Sequence, residues 1–307
     1  MAFTALDVKK LREMTNVGMM DCKAALTACD GDMDKAVDWL REKGLAKAAK
    51  KAGRIAAEGL AYATVIDGVG VVIEVNSETD FAAKTDKFMD LVKSLSEIVA
   101  KDAPADVEAL KACTYPGTNL TVTEKMQELV MSIGENMQIR RFDRFTANQS
   151  VSYVHMGGTH GVLVNLEADV DATEIGKNVA MQIAAMNPKY WDKAQVPQED
   201  VDKELAVQMA LMDNDPKMAS KPAQVKEKIA AGKIASFYKD YCLLQQDFVR
   251  ADLFKGDVAG YIADAAKKLG GSVKFVNAIH SIKGEGIEKK VDDFAAEVAA
   301  QVAGAGK

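Results

Sequence analysis

The sequence predicts an α+β protein built from several packed units. Three observations carry that expectation: three short helical patterns fill the first 55 residues, a hairpin-plus-helix pattern occurs twice at a spacing of 91 residues, and a purely helical stretch interrupts the second copy. A chain of 307 residues exceeds the roughly 100–200 residues of one ordinary domain. With 48% hydrophobic and 27% charged residues, only 6 Pro and a mean hydropathy of -0.10, it can bury sizeable cores.

In chain order, Leu6, Val8 and Leu11 begin an apolar face that stops near Thr15 to Gly18. Asp21 opens a second segment with Cys22, Ala25 and Leu26. Asp30-Gly-Asp32 then caps a third carrying Met33, Ala36, Val37 and Leu40, with Gly44 as its expected stop. The period changes to two between Leu60 and Val75, where two β-rich runs flank Asp67-Gly68, a strong hairpin signal. Phe88, Leu91, Val92, Leu95, Ile98 and Val99 follow at helical spacing and predict a helix on a sheet. Thr123 is the expected cap of the next helix, which leads to a strand around Met137 to Phe145. The second copy aligns Tyr62 with Tyr153, Gly70 with Gly161, and Val71-Val72-Ile73 with Val162-Leu163-Val164. Val201, Leu205, Val225, Ile229 and Ile234 then predict an antiparallel helical hairpin turning at Asp213-Asn-Asp-Pro216. A helix, a strand over Ser272 to Ile282, a Gly284-Glu-Gly286 turn and an Ala-rich final helix complete the chain.

These elements divide the chain into a helical module with a basic linker (1–55), a first α+β half (56–148), a second half (149–196 with 245–283), the helical hairpin (197–244) and a C-terminal helical module (284–307). Charge is uneven across them. The net -6 separates into +3 for residues 1–55, where 11 basic residues face 8 acidic ones, and -9 for the remainder. Lys43, Lys47, Lys50, Lys51 and Arg54 form a stretch without acids, read as a solvated helix exit or as a docking patch for an acidic partner. The overall acidity, with a pI near 5.3, argues against a nucleic-acid backbone as the main partner.

Four cysteines (Cys22, Cys29, Cys113, Cys242) without a C-x-x-C pair predict neither a disulfide framework nor a zinc site and fit a reducing compartment. The start of the chain does not read as a signal peptide, and no apolar run reaches the about 18–20 residues of a membrane span, so a cytoplasmic protein is expected. No phosphate-binding loop is present, and Gly68-x-Gly70 lies between two strands where a dinucleotide fingerprint needs a helix. Asp30, Asp32 and Asp34 imitate a calcium loop, but Lys35 and Arg41 occupy its essential Gly and Glu positions, so helix capping is expected. His155 and His160 are expected on opposite strand faces or across a turn, a poor metal geometry. A hydrolase using Glu74, Glu78 and Asp80 lacks a paired His or metal set. No metal, cofactor or catalytic residue is therefore expected.

One stretch stands out: Glu74-Val-Asn76-Ser-Glu78-Thr79-Asp80-Phe81-Ala82-Ala-Lys84, at a strand-to-helix passage. Local logic makes Thr79 or Asp80 a helix cap and Phe81 a staple to the core. The competing reading is an acidic-aromatic tip offered to a partner.

Together with Leu11-Arg12-Glu-Met-Thr15-Asn-Val-Gly18-Met19-Met20-Asp21-Cys22-Lys23-Ala-Ala25-Leu26, this stretch resembles the two signature segments of the bacterial elongation factor Ts family. Ile133-Gly134-Glu135-Asn136, Gln246-Asp-Phe248-Val249 and Gly284-Glu-Gly286-Ile287-Glu288-Lys289 extend the resemblance over essentially the whole chain. Asn16 departs from a usual Gly, and Ala82 from a common Val.

The resemblance implies a ubiquitin-associated-like N-terminal bundle, and a guanine-nucleotide exchange factor without covalent chemistry. Its partner would be elongation factor Tu, GDP-bound or nucleotide-free, with pairing of two heterodimers as a further expectation. By the same resemblance, Thr79, Asp80, Phe81 and Ala82 would enter the partner beside its magnesium site. Arg12, Met19 and Met20 would grip it elsewhere, and His155 would press near its phosphate-binding loop. The alternative is a non-exchange adaptor that docks partners through the bundle and the helical hairpin.

Overall fold

The computed structural model describes residues 3–15, 17–146 and 148–288. Asn16 and, from residue 289 on, the expected final helix lie outside the described residues.

Three helices, α1 (Ala5–Thr15), α2 (Met19–Ala28) and α3 (Met33–Lys51), pack around Val8, Leu11, Cys22, Ala25, Leu26, Ala36 and Leu40. Asp32 caps α3, accepting the Lys35 amide at 3.1 Å, as the capping reading of the Asp30–Asp34 run expects. Gly44 does not stop α3. The helix continues to Lys51, and Gly44 is the point where it crosses the first α+β half: a Cβ there would lie 2.3 Å from Met131 Sδ. The residue is small because a neighbour is close. The basic stretch is partly spent in the structure: Lys51 donates across this contact to the Gly134 carbonyl, and Lys43 lies 4.2 Å above the Trp39 ring on its own helix.

The first half follows as β1 (Glu58–Ile66), β2 (Val69–Ser77), a single turn α4 (Asp80–Ala83), α5 (Asp86–Asp102), α6 (Val107–Ala112), α7 (Val122–Ile133) and β3 (Met137–Thr146). Asp67 and Gly68 both have positive φ, +50° and +80°, the conformation a two-residue hairpin requires. The sheet order is β1-β2-β3, all antiparallel. Its helix-covered face buries Val71, Ile73 and Val75 against Phe88, Leu91, Leu95 and Leu110. Each such side chain is worth about 1.5–3 kcal/mol of transfer free energy. Thr123 is not the cap of α7. Thr121 accepts the Glu124 amide at 3.2 Å while Glu124 returns a bond to the Thr121 amide at 2.8 Å, a reciprocal box that Thr123, one turn position too late, cannot make.

The second half repeats the plan. β4 (Gln149–His155), β5 (His160–Ala168) and α8 (Thr173–Met186) precede a helical hairpin of α9 (Gln198–Asn214), α10 (Pro216–Ala219) and α11 (Ala223–Tyr241); α12 (Val258–Leu269) and β6 (Val273–Ile282) then close a β4-β5-β6 sheet. The central strands carry bulges at equivalent places, Glu74/Val75 and Asn165/Leu166, which fixes the 91-residue offset between β2 and β5. The flanking strands do not share it. Ile66 pairs with Val69 across two turn residues, but His155 pairs with His160 across four, so β4 follows β1 by 89 residues. Tyr153 is thus the counterpart of Thr64, and the expected Tyr62–Tyr153 match is corrected.

The two sheets face each other, with helices outside, and meet through Ala63, Val72 and Leu163. Gly70 and Gly161 make that approach feasible. A Cβ on Gly70 would meet Leu163 Cδ2 at 2.5 Å, and one on Gly161 would meet the Ala61 backbone at 2.9 Å.

Candidate functional site

The loop after β2 is built from borrowed hydrogen bonds. Thr79 caps α4: its hydroxyl accepts the Ala82 amide at 3.2 Å and donates to Glu135 Oε1 at 2.7 Å, while its own amide donates to Glu135 Oε2 at 2.9 Å. Ser77 Oγ donates to the Thr79 carbonyl at 2.8 Å. Glu78 turns away from the tip, accepting the Asn136 amide at 2.6 Å and facing Arg54 at 3.5 Å. Glu135 and Asn136 arrive there because Gly134, at φ +90°, ends α7 and reverses the chain. Sequence reasoning assigned them no role; a Gly that ends a helix just before two polar residues was the signal available.

With the backbone so held, Ala82 and Ala83 are buried and Phe81 is not. Phe81 is 78% exposed, so it is not a staple to the core. Beside it, Lys84 Nζ lies 2.6 Å from Asp80 Oδ2 and 5.7 Å from the centre of the Phe81 ring. The Lys84 ammonium, hydrogen-bonded to it, holds the Asp80 carboxyl below the usual carboxylate range. Asp80 is therefore an anion at neutral pH, adjacent to an exposed aromatic ring on a hydrogen-bonded turn.

Glu74 plays a different part. It is fully buried and accepts from Arg141 Nε (2.7 Å), Gly284 N (2.8 Å), Arg140 Nη1 (2.9 Å), Asn76 Nδ2 (3.2 Å) and Ser281 Oγ (3.5 Å). Burial pushes its carboxyl up, but the Gly284 amide, Arg140, Asn76 and Arg141 outweigh it and the value ends below 4.5. These five donors fill the about four lone-pair sites a carboxylate has. No acceptor is left for a substrate, which removes Glu74 from any hydrolytic set.

The second hairpin ends near the same loop. Glu58, paired with Ser77, holds Lys283 Nζ at 2.6 Å, and the Lys283 amide donates to the Thr159 carbonyl at 2.9 Å. Gly158 fits against Leu60, where a Cβ would meet Cδ2 at 2.3 Å, and its carbonyl accepts the Ala61 amide at 2.8 Å. At the tip, His155 is half-buried and Met156, at φ +47°, is 72% exposed.

Of the two placements expected for His155 and His160, the structure shows the one across the turn. The two residues are directly paired across the hairpin with ring centres 5.9 Å apart, and His160 Nδ1 meets His280 Nε2 at 3.0 Å. All three histidines of the chain therefore gather on one sheet. Burial, then the charge of His160, pushes His280 down to about 4. Among the described residues no group of three or more His, Cys, Asp or Glu side chains is arranged to hold a metal ion.

Arg12, Met19 and Met20 sit on the helical module. Arg12 is exposed, and Met19 and Met20, 54% and 77% exposed, open α2 behind Gly18. They face outward because Cys22, Ala25 and Leu26 supply the buried side of that helix.

No described helix is long and apolar enough to cross a membrane. The fold and these sites define an α+β protein that holds apolar side chains out at a helix start and a loop tip and, among the described residues, keeps the buried Glu74 paired with arginines. A family model described as Elongation factor TS matches residues 78–279. Elongation factor Ts of Magnetococcus marinus is 44% identical over 99% of this chain and 100% of its own length, and that of Nitratiruptor sp. 44% over 98% and 100%. Elongation factor Ts of Paramagnetospirillum magneticum is 44% identical over 97% of this chain and 96% of its own. The chain belongs to the elongation factor Ts family of translation elongation factors.

Proposed function

We propose that this chain binds elongation factor Tu and accelerates release of its GDP, without covalent chemistry of its own. The observation that carries the reading is Phe81, held 78% exposed on a turn that Thr79 caps while Glu135 anchors Thr79. An exposed ring on a flexible loop would lose its binding energy to ordering; one already fixed delivers it to the partner. Phe81 wedges into an apolar crevice near the partner's magnesium site, Asp80 disturbs the polar network that holds the ion, and the buried Ala82 fixes the depth of the turn. Magnesium neutralises phosphate charge, so loosening it weakens the hold on the nucleotide. Arg12, Met19 and Met20 grip the partner on another side, where methionine suits adaptable packing. His155 acts from the second hairpin, toward the phosphate-binding loop. The five-segment division of the chain belongs to the same reading, with the bundle and both tips as separate points of attachment.

The coupling is reciprocal: each tenfold loss of nucleotide affinity corresponds to about 1.4 kcal/mol of preference for the empty partner, and incoming GTP expels the factor by the same amount. The double variant Asp80→Ala, Phe81→Ala tests the reading. Stopped-flow release of a fluorescent GDP analogue slows by about 100-fold relative to the unaltered protein if each side chain supplies one to two kcal/mol to the strained state. Unchanged release, with the fold intact by circular dichroism, removes the loop from the mechanism.

A further inference from the structure

We propose that Tyr153 is a positioning residue: its hydroxyl donates to His155 Nδ1 and leaves the ring proton on Nε2, so that the hairpin tip offers the partner an N–H donor. The inference rests on the reading that His155 touches the partner. Tyr153 and His155 are two residues apart on β4 and so lie on the same face of the sheet. The Tyr153 oxygen is 2.9 Å from His155 Nδ1. Of the two directions this bond can take, phenol O–H to imidazole nitrogen pairs the better acid with the better base. That leaves Nδ1 as acceptor and Nε2 as the site of the remaining proton.

The surroundings hold this arrangement. The Tyr153 ring packs against the core of the second sheet, which limits its rotation. On the other side His160 keeps its Nδ1 engaged with His280. Burial first, then its neighbour His155, lowers the His160 pKa, so His160 adds no positive charge beside the tip at neutral pH. The tip itself is tied to the first sheet through the Gly158 carbonyl and the Ala61 amide. A donor fixed in this way selects a partner group that accepts, a backbone carbonyl or a side-chain amide or carboxylate oxygen, and is repelled by one that only donates.

The full-length protein labelled with 15N-histidine, studied by long-range nitrogen–proton correlation, reads the tautomer directly. His155 carries its proton on Nε2, and Tyr153→Phe, which keeps the packed ring, releases a mixture of the two forms. In the exchange assay Tyr153→Phe lowers the acceleration of GDP release about 5- to 10-fold, the effect of one hydrogen bond. His155→Gln, whose amide places an N–H close to the Nε2 position, retains most of the acceleration, and adding Tyr153→Phe to it changes little. A wild-type ring protonated on Nδ1, or an equal loss in the His155→Gln background, overturns the proposal. His155→Ala with unaltered exchange instead overturns the assignment of the tip to the partner, and the nitrogen spectrum then decides the role of Tyr153 by itself.

Discussion

Removing the charge from Glu74 leaves two guanidinium groups facing a neutral amide in a buried site. Glu74→Gln therefore destabilises the fold by about 3–5 kcal/mol, as breaking a buried pair does, read as a lower urea midpoint at pH 7. The pH dependence has a definite sign. Glu74 has a folded pKa below its ordinary 4.5, so its contribution is fully present above that value and is lost as pH falls through the folded pKa. The gap between wild type and variant accordingly narrows in acid. At this scale the sequence was legible only in part. Glu74, Glu78 and Asp80 stood out as a group, but their roles depend on Arg140, Arg141, Asn136 and Lys84, three of which lie far away in the chain. The three histidines were visible too; their meeting was not, because His280 arrives from a strand 120 residues beyond His160.

Elements were more readable, since their signals are local. Asp67-Gly68 has the positive φ values that its hairpin reading demands, and the apolar spacing from Phe88 to Val99 is the buried face of α5. Gly44 and Thr123 misled because a small residue in a helix and a hydroxyl near its start each have two explanations. Contact with Met131 and competition from Thr121 decided between them. The aligned glycines, Gly70 and Gly161, mark the face where the sheets meet, and they differ in what they face. Gly161→Ala drives its methyl into the backbone of Ala61, which cannot rotate away, whereas Gly70→Ala meets the Leu163 side chain. Thermal unfolding should show Gly161→Ala as the costlier change, at about 2–3 kcal/mol of overpacking, with Gly70→Ala nearer 1. Equal midpoints would mean that the sheets separate freely at both points.

Across the whole molecule, the basic module is fastened to an acidic body by α3 against α7, with Arg41 on Glu124 and Lys51 on the Gly134 carbonyl. Deleting residues 1–55 should weaken binding to elongation factor Tu about tenfold or more in calorimetry, if two exposed methionines supply the lost contact at about 1 kcal/mol each. Because the deletion uncovers Met131, the truncated chain is best made with Met131→Gln. Exchange at saturating concentration should persist in part, since the Thr79–Glu135 bonds that hold the Phe81 loop remain, although Arg54 beside Glu78 and Lys51 on the Gly134 carbonyl are lost. An unaltered affinity would assign the module to another task.

The buried Glu74 also orders events in time. A ribosome adding about 5–20 residues per second completes β3 and delivers Arg140 and Arg141 long before it delivers Gly284, a delay of roughly 7–30 s over the 143 residues after Arg141. Throughout that interval the nascent first half holds a carboxylate with its arginines in place but with its donors from Ser281 and Gly284 not yet made. The central strand made early is thus finished by a turn translated much later, and a chain truncated before Gly284 emerges with that bond unmade.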